Sequence, residues 1–301
     1  MQFKRLKLNV DGLLLIDKPL RLSSNQLVSK IKILFSAKKV GHTGTLDPMA
    51  TGLLPICLGE ATKFSSYLLN ADKTYEALIR LGYKSSTGDM EGEIIKQNID
   101  KMPSLAQIKK ILHKFIGTSE QLPPMYSALK HQGKPLYLYA RDGIDIPRPK
   151  RKINIYTIEL LQYKEDKLKL KIKCSKGTYV RTLAEDIGAQ LNVGAYLAGL
   201  RRTNIGNFSI ENALDIEKVE KTKEEDRVKF LLLPEALLGK YEKIILSFHE
   251  ENAIKDGKII EQKTKIPGLY RLYGVNNNFI GLGEIDETKN LKAKRLKSLI
   301  N

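Results

Sequence analysis

The strictest pattern in this 301-residue chain is the alternation of apolar and basic residues over positions 168–174, which read Leu-Lys-Leu-Lys-Ile-Lys-Cys. Successive side chains of a β-strand point to opposite faces, so this segment is predicted to be a strand with one buried face. Positions 74–81 alternate in the same way and place Tyr75 on the apolar side. Apolar residues spaced three and four apart after Ser23 and after Ser104 predict capped helices. Strands and helices are therefore expected to share a core.

The chain is strongly basic and long enough for two domains. Lys and Arg number 51 against 34 Asp and Glu, which gives a formal charge of +17. This balance favours a polyanionic partner, most often nucleic acid, although solvated surface lysines alone carry no such meaning. We expect a catalytic domain over residues 1–240. Residues 241–301, in which short strand-like pieces alternate with Gly, Pro and Asn turns, are predicted to form a small all-β module.

The number of cysteines and the hydropathy of the sequence indicate the cellular compartment. Cys57 and Cys174 are the only cysteines and lie far apart in the sequence, so neither a disulfide framework nor a thiolate metal site is indicated. No apolar run approaches the ~18 residues of a membrane span, and positions 1–10 lack the apolar core of a signal peptide. We expect a cytoplasmic protein without membrane contact.

Positions 41–48, Gly-His-Thr-Gly-Thr-Leu-Asp-Pro, place turn formers and reactive side chains between two apolar segments. The two glycines can adopt backbone angles that other residues avoid, and Pro48 pushes Asp47 toward extended geometry. Asp47 should therefore lie on a rigid, sharply shaped loop, which suits a nucleophile. An isolated segment of this composition is more often a plain turn in which the Asp caps the following backbone.

Three other residues are candidates for the same site, each with an ordinary structural alternative. Lys18 ends a predicted buried strand and could meet a phosphate or water. Tyr75 begins a strand, where it could stack on a base or pack in the core. Arg181 is predicted at a strand-to-helix junction, where its side chain could reach a cleft or remain a surface cation.

Residues 121–152 differ in composition from the rest of the chain. They contain five prolines, three tyrosines and a basic run at 148–152. Aromatic rings stack on unpaired bases and cations meet phosphates, so this composition suits RNA. The alternative is an ordinary long surface loop. Because a loop of this length in a compact domain is more often functional or mobile, we expect a flexible arm.

The sequence lacks the motifs of several common kinds of enzyme chemistry. The four histidines are scattered singly, and neither a Gly-x-x-x-x-Gly-Lys-Ser/Thr phosphate loop nor a Gly-x-Gly-x-x-Gly fingerprint occurs. A rigid carboxylate, an arginine able to pair with it, an aromatic ring and a basic surface remain. They fit chemistry on a nucleobase or its glycosidic bond, where a carboxylate can attack carbon or stabilise a developing sugar cation. An Asp–Arg ion pair would keep the acid ionised.

Separate motifs in collinear order carry a family resemblance. Positions 41–54 read Gly-His-Thr-Gly-Thr-Leu-Asp-Pro-Met-Ala-Thr-Gly-Leu-Leu, and Gly-Glu-Ala-Thr-Lys follows at 59–63. Further segments are Asp-Lys-Thr-Tyr at 72–75, Pro-Pro-Met-Tyr-Ser-Ala at 123–128, Ser-Lys-Gly-Thr-Tyr-Val-Arg at 175–181 and Leu-Arg-Arg at 200–202. From about residue 12 to residue 208, the chain closely resembles the TruB family of tRNA pseudouridine-55 synthases.

The resemblance implies an α+β pseudouridine synthase fold. This fold has a mixed, largely antiparallel central sheet flanked by helices, an inserted arm at 121–152 that grips RNA, and a C-terminal β-rich, PUA-like RNA-binding module at 241–301. The resemblance also implies a nucleophilic Asp47, an Arg181 that pairs with it and a Tyr75 that stacks on the target uracil. Other positions that match the family shape the nucleotide site or support it: His42, Tyr179, Leu200, Lys18 and Asp89.

The implied reaction is an isomerisation of uridine 55 in the T loop of tRNA. The N1–C1′ bond breaks, the base turns and it rejoins the sugar through C5, without metal or cofactor. Because a stacked base is out of reach, it must flip into the site. A monomer that contacts the T arm, the elbow and the acceptor stem is expected. Attack by Asp47 on the sugar and a glycal route both stay open.

Other functions are compatible with the same residues. They are a guide-RNA-dependent pseudouridine synthase of the same fold, a non-catalytic tRNA-binding or folding protein, and a hydrolase that releases the base. The long aromatic arm favours a stand-alone enzyme. Binding alone needs no carboxylate facing a polyanion, which argues against the second alternative.

Overall fold

The computed structural model describes residues 7–262 and 266–298. Within them, the α-helices are α1 (Ser24–Leu34), α2 (Ser65–Leu69), α3 (Leu105–Lys114), α4 (Leu136–Arg141), α5 (Val180–Gln190), α6 (Ile216–Lys221) and α7 (Phe248–Lys255). Short 3-10 helices cover Gly59–Phe64, Ile210–Asn212, Glu224–Phe230 and Pro234–Leu238.

The strands, in chain order, are β1 (Gly12–Lys18), β2 (Val40–His42), β3 (Ala50–Leu58), β4 (Lys73–Leu81), β5 (Tyr83–Ser85), β6 (Ile94–Lys96), β7 (Gly117–Gln121), β8 (Lys130–His131), β9 (Lys134–Pro135), β10 (Arg151–Lys164), β11 (Lys167–Cys174), β12 (Ala195–Ile205), β13 (Phe208–Ser209), β14 (Leu214–Asp215), β15 (Lys243–Ile245), β16 (Ile260–Glu261), β17 (Gly268–Tyr273), β18 (Phe279–Ile285) and β19 (Asn290–Leu296). Two hairpins, β5–β6 and β8–β9, stand apart from the larger sheets.

The central sheet has ten strands in the described part of the chain. Its main path runs β14-β1-β3-β12-β4-β11-β10-β7, with β2 attached to β3 and β13 to β12. Neighbours pair antiparallel except for β1 with β14 and β12 with β3, which are parallel. Helices α1, α3 and α5 contribute residues to the core of this sheet. The predicted mixed, largely antiparallel sheet flanked by helices is confirmed.

The spacing of apolar residues along each helix and strand decides which of its faces packs against this core. Ser23 caps α1 and Ser104 caps α3, each within a capping box, so the two caps match the prediction. In β11, the apolar residues are buried and the lysines at 167, 169, 171 and 173 are exposed. Ile172 lies opposite Tyr75 of β4, and both side chains are buried. The alternation thus places Tyr75 on the covered face.

Arg202 and Arg181 both lie within regular secondary structure. Positions 201–202 lie inside β12, which pairs with β3 on one side and β4 on the other. Arg202 is consequently buried in the middle of the sheet. Helix α5 begins at Val180 after β11 ends at Cys174, so Arg181 lies in the first turn of the helix, at the predicted strand-to-helix junction. The pairing of β12 on both sides, and not local composition, decides the burial of Arg202.

The C-terminal residues form a five-stranded sheet in the order β15-β17-β18-β19-β16, together with helix α7. The helix contradicts the all-β prediction. Its signal was present, because Ser247 and Glu250 form a capping box. The sheet packs on the rest of the protein through Phe279, whose ring meets that of Phe64 edge-on at 5.5 Å. The domain division at residue 240 stays a prediction, and residues 1–6, 263–265 and 299–301 of those two domains lie outside the described residues.

None of the helices that the structure describes is long and apolar enough to cross a membrane.

Candidate active site

The loop between β2 and β3 carries Asp47 and is held from one side by helix α1. The buried hydroxyl of Ser24 donates a hydrogen bond to the carbonyl oxygen of Leu46 and accepts one from its N–H, both at 2.9 Å. The N–H of Ala50 donates to the carbonyl oxygen of Asp47 at 3.0 Å. These bonds fix the backbone on both sides of the carboxylate, as the rigid-loop prediction requires.

Arg202 holds the same loop from the sheet side. Its Nη2 donates to the carbonyl oxygen of Gly44 at 3.1 Å and its Nε to that of Leu53 at 2.8 Å. It also forms a side-chain hydrogen bond with Tyr75, and burial lowers the pKa of its guanidinium. Gly44 has φ of +139°, a conformation that favours glycine. One buried cation therefore joins the Asp47 loop to Tyr75.

Asp47, Arg181 and Asp89 form one ionic cluster. Nη2 of Arg181 lies 3.1 Å from Oδ2 of Asp47, and Nη1 lies 3.3 Å from Oδ2 of Asp89. The same Nη2 donates to the carbonyl oxygen of Tyr126 at 2.6 Å. Thr87 donates to Asp89 through its hydroxyl at 2.6 Å. The guanidinium is thereby oriented by three separate segments of the chain.

Burial and charge act in opposite directions on Asp47. Burial raises the pKa of its carboxyl above the ordinary value, and the nearby Asp89 carboxylate adds to this rise. Arg181 and Lys18 pull the pKa down, but the net direction is upward. The predicted ion pair is present, yet it does not hold the pKa of this acid below the ordinary value. The side chain remains 35% exposed, so it is open to a ligand.

Asp47, Asp89 and Arg181 line a cavity of about 830 Å³. The arm also lines this cavity, through Tyr126, Ser127, Ala128, Tyr137 and Arg141. Cavities of this size are typical of small-molecule and nucleotide sites. The carboxylate, its arginine and the arm predicted from the sequence thus meet at one place.

The remaining predicted residues lie around this cavity and are not part of its lining. Lys18 is fully buried and donates to the carbonyl oxygens of Leu22 and Pro19 at 2.6 and 2.9 Å, so it is not the exposed phosphate ligand considered from the sequence. Burial lowers its pKa to about 8, against the opposing charge of Asp47. Tyr75 is buried, which raises the pKa of its hydroxyl.

His42, Tyr179 and Leu200 occupy three different elements next to the site. His42 lies in β2, where its Nδ1 accepts a hydrogen bond from the N–H of Gly44 at 3.2 Å, and burial lowers its pKa. Tyr179 precedes α5, and the amide of Gln121 bonds both its N–H and its carbonyl oxygen. Leu200 pairs with Ala50 at the start of β3. Their functional roles stay predictions.

Sequence reasoning missed Ser24 and Arg202 as residues that shape the site. The hydrogen bond of Ser24 to Leu46 joins positions 22 residues apart. Arg202 was recognised only as part of the Leu-Arg-Arg segment at 200–202. Neither role has a local signal, because each depends on which distant segments become neighbours.

We expect Arg202→Met to destabilise the protein by about 3 kcal/mol, since it leaves the buried carbonyl oxygens of Gly44 and Leu53 without a donor. Arg201→Met is the matched control, because the side chain of Arg201 is partly exposed and pairs with Asp17 of β1. It should cost no more than about 1 kcal/mol. Urea unfolding of both variants measures the difference. Equal losses would contradict the clamp assigned to Arg202.

Comparison with known proteins places this site in a family. Residues 32–180 match the model described as TruB family pseudouridylate synthase (N terminal domain), and residues 181–238 match that of the tRNA pseudouridylate synthase B C-terminal domain. Residues 243–296 match a model described as pseudouridine synthase II TruB, C-terminal. The class that fold and site define is the pseudouridine synthases, which are isomerases.

Full-length relatives narrow this class. The chain is 46% identical over 297 residues to tRNA pseudouridine synthase B of Methylobacillus flagellatus, covering 98% of both chains. It is also 46% identical to the Aromatoleum aromaticum protein of the same name, covering 99% of this chain and 96% of that one. The chain belongs to the TruB family.

Solved structures share the fold at lower identity. The chain is similar to one in the crystal structure of a Cbf5-Nop10-Gar1 complex, with a TM-score of 0.71 and 23% identity, covering 95% of this chain and 85% of that chain. At this identity the likeness shows the pseudouridine synthase fold alone.

Proposed function

We propose that this protein converts uridine 55 in the T loop of tRNA to pseudouridine, as a monomer and without a guide RNA. The observation that carries the proposal is the carboxylate of Asp47, fixed on a doubly clamped loop, paired with Arg181 and open to a cavity of nucleotide size. The relatives named above as tRNA pseudouridine synthase B support tRNA as the substrate.

In the proposed reaction, Asp47 acts while the N1–C1′ bond of the flipped uridine breaks. Its carboxylate either bonds to C1′ or removes a sugar proton on a glycal route. The released uracil turns, C5 bonds to C1′, the C5 hydrogen leaves as a proton and N1 gains a proton. The product is an isomer of the substrate, so no other reactant is consumed.

Arg181 is proposed to keep Asp47 charged for this step. Burial raises the pKa of Asp47, and a covering base would remove the remaining water from it. The guanidinium, itself nearly buried, opposes that rise by holding a positive charge 3.1 Å away. Asp89 shares Arg181 and fixes its orientation. Loss of either partner should therefore change the ionisation of Asp47 and its alignment.

Tyr75 is proposed to contact the uracil at the inner end of the site. The charge of Asp47 acts on the pKa of the Tyr75 hydroxyl, so the two side chains lie within electrostatic reach. The hydroxyl is occupied by Arg202, which leaves the ring as the part available to a base. His42, Tyr179, Leu200, Lys18 and Asp89 are proposed to shape and support the same site.

The arm is proposed to hold the RNA loop over the cavity. The guanidinium of Arg141 lies 5.5 Å from the ring centre of Tyr137, and both residues line the cavity. A cation beside an aromatic ring suits a single-stranded RNA segment, where bases stack and phosphates need charge. Helix α4 and the β8–β9 hairpin give the arm regular structure.

The C-terminal sheet is proposed to add phosphate contacts with the acceptor stem. Deleting the sheet would remove Phe279 from its contact with Phe64, so charge changes are the cleaner test. We expect Lys292→Gln combined with Arg295→Gln to weaken tRNA binding several-fold and to flatten its salt dependence, with kcat unchanged. Lys294→Gln is the control, since Lys294 is engaged by Glu284 at 2.8 Å. Unchanged affinity of the double variant would refute the proposed contact.

The proposal is tested by mapping pseudouridine in unmodified tRNA treated with the purified protein and no other RNA. Modification is expected at position 55 only. A tRNA with cytidine at position 55 is the matched control RNA and should remain unmodified. Modification at another position, or a requirement for an added guide RNA, would overturn the proposal in favour of the guide-dependent alternative.

A further inference from the structure

The side chain of Gln121 is a buried amide at the end of β7, and it is 5% exposed. Its Oε1 accepts a hydrogen bond from the N–H of Tyr179 at 2.8 Å, and its Nε2 donates one to the carbonyl oxygen of Tyr179 at 3.0 Å. Turning the amide over would set donor against donor and acceptor against acceptor, so one orientation alone satisfies both groups. Gln121 thus bonds the backbone of a residue 58 positions away, as a neighbouring strand would.

Tyr179 is the residue from which helix α5 starts. Its carbonyl oxygen also accepts the first hydrogen bond of the helix, from the N–H of Leu183 at 3.1 Å, whereas its side chain does not cap the helix. Because Gln121 bonds both the N–H and the carbonyl oxygen of Tyr179, it fixes the backbone at the start of α5. Arg181 lies in the first turn, so any shift of the helix start moves its side chain as well.

Gln121 also lies at the base of the arm. It pairs with Arg151 in the β7–β10 ladder, so the chain leaves the central sheet and returns to it at this pair. Further along the arm, the carbonyl oxygen of Tyr126 accepts a hydrogen bond from Nη2 of Arg181 at 2.6 Å. The base of the arm therefore holds Arg181 twice: its backbone is held through Tyr179 and Gln121, and its guanidinium through Tyr126.

The place of this guanidinium decides whether it can serve the reaction. Its nitrogens lie 3.1 Å from the carboxylate of Asp47 and 3.3 Å from that of Asp89. A displacement of about 1 Å would take both contacts out of hydrogen-bonding range. Gln121 does not line the cavity of Asp47, so its effect on the reaction has to pass through the residues that it holds.

We propose that Gln121 is a positioning residue for the isomerisation: its side-chain amide ties the start of α5 to the base of the arm and thereby places the Arg181 guanidinium between Asp47 and Asp89. The inference rests on the proposed function, because it assigns Gln121 to the ion pair of that reaction. A purely structural amide would affect the free energy of unfolding alone. A positioning amide also affects kcat and the ionisation of Asp47.

The first test compares Gln121→Met with Gln107→Met. The side chain of Gln107 also accepts a hydrogen bond from a backbone N–H, that of Ser104, but it belongs to the exposed capping box of α3. Both variants should unfold at a lower temperature than wild type. For pseudouridine formation at position 55, kcat should fall about 10- to 100-fold in Gln121→Met with KM within about threefold, and stay within about twofold of wild type in Gln107→Met. Wild-type kcat in Gln121→Met, or a loss confined to KM, would overturn the inference.

The pH–rate profile gives a readout that a loss of stability does not move. Arg181 pulls the pKa of Asp47 down against burial, so a displaced guanidinium lets this pKa rise. The acid limb of Gln121→Met should therefore move to higher pH, whereas that of the control variant should coincide with wild type. Asp89 and Lys18, the other charges that act on Asp47, are the same in both variants. A wild-type acid limb in Gln121→Met would contradict the positioning role.

A double-mutant cycle tests whether the effect passes through Arg181. In the Arg181→Lys background, Gln121→Met should lower kcat by no more than about threefold, because the guanidinium that Gln121 places is already gone. Gln121→Asn replaces Gln121→Met if the latter does not fold, since it keeps a polar amide but is one methylene too short to reach both backbone groups of Tyr179. Equal fold losses of kcat in the two backgrounds would overturn the inference. A wild type that forms no pseudouridine would instead refute the proposed function itself.

Discussion

Asp47→Asn is expected to reduce pseudouridine formation by about 10⁴-fold or more while leaving the dissociation constant for tRNA within about threefold of wild type. The amide keeps the size of the carboxylate but can neither bond to C1′ as an anion nor remove a sugar proton. Binding depends mainly on phosphates, and one neutralised acid within a +17 chain changes that attraction little. Single-turnover rates and filter binding measure the two quantities separately.

Asp17→Asn is the matched control for this substitution. Asp17 is an ion-paired aspartate in β1, bonded to Arg201, and it does not line the cavity of Asp47. Its neutralisation should leave the rate within a few-fold of wild type. If Asp47→Asn lost affinity by the same factor as rate, or retained a rate near that of wild type, Asp47 would not be the reacting group.

Arg181→Met is expected to lower kcat by about 10²- to 10³-fold and to move the acid limb of the pH–rate profile to higher pH. The reaction needs Asp47 ionised, and Arg181 pulls the pKa of Asp47 down against burial. Without the guanidinium the pKa rises further, so a larger share of the enzyme is protonated at a given low pH. Raising the pH should therefore restore part of the lost rate.

Arg181→Lys separates charge from geometry. The ammonium keeps a positive charge near Asp47 and Asp89 but cannot bond both carboxylates and the Tyr126 carbonyl in the same arrangement. Its acid limb should shift less than that of Arg181→Met, although kcat also falls. Circular dichroism checks that both variants are folded. An acid limb of Arg181→Met that coincides with that of wild type would contradict the role assigned to the ion pair.

The elements set by local patterns could be predicted from the sequence. The alternation at 168–174 became β11, and the caps at Ser23 and Ser104 became capping boxes, because each signal lies within a few residues. The motif from 41 to 48 identified the loop that carries Asp47. The resemblance to the TruB family then identified Arg181 as the partner of Asp47. The spacing of residues around Arg181 could not have shown this pairing.

The support of the site could not be predicted, because it consists of contacts between distant segments. Arg202 reaches Gly44 across 158 positions, and Ser24 reaches Leu46 across 22. The upward direction of the Asp47 pKa depends on how many groups surround the carboxylate in three dimensions. The burial of Arg202 follows from the pairing of β12 with a strand on each side, which no local pattern shows.

The proposed isomerisation requires the protein to rejoin the uracil through C5 after breaking the N1–C1′ bond. Tritium release from unmodified tRNA that carries uridine labelled at C5 tests it most directly, because forming the C5–C1′ bond expels that hydrogen. We predict that purified wild-type protein releases one tritium per tRNA and no free uracil. Free labelled uracil would indicate a hydrolase, and no release of either kind would leave a protein that binds RNA without isomerising it.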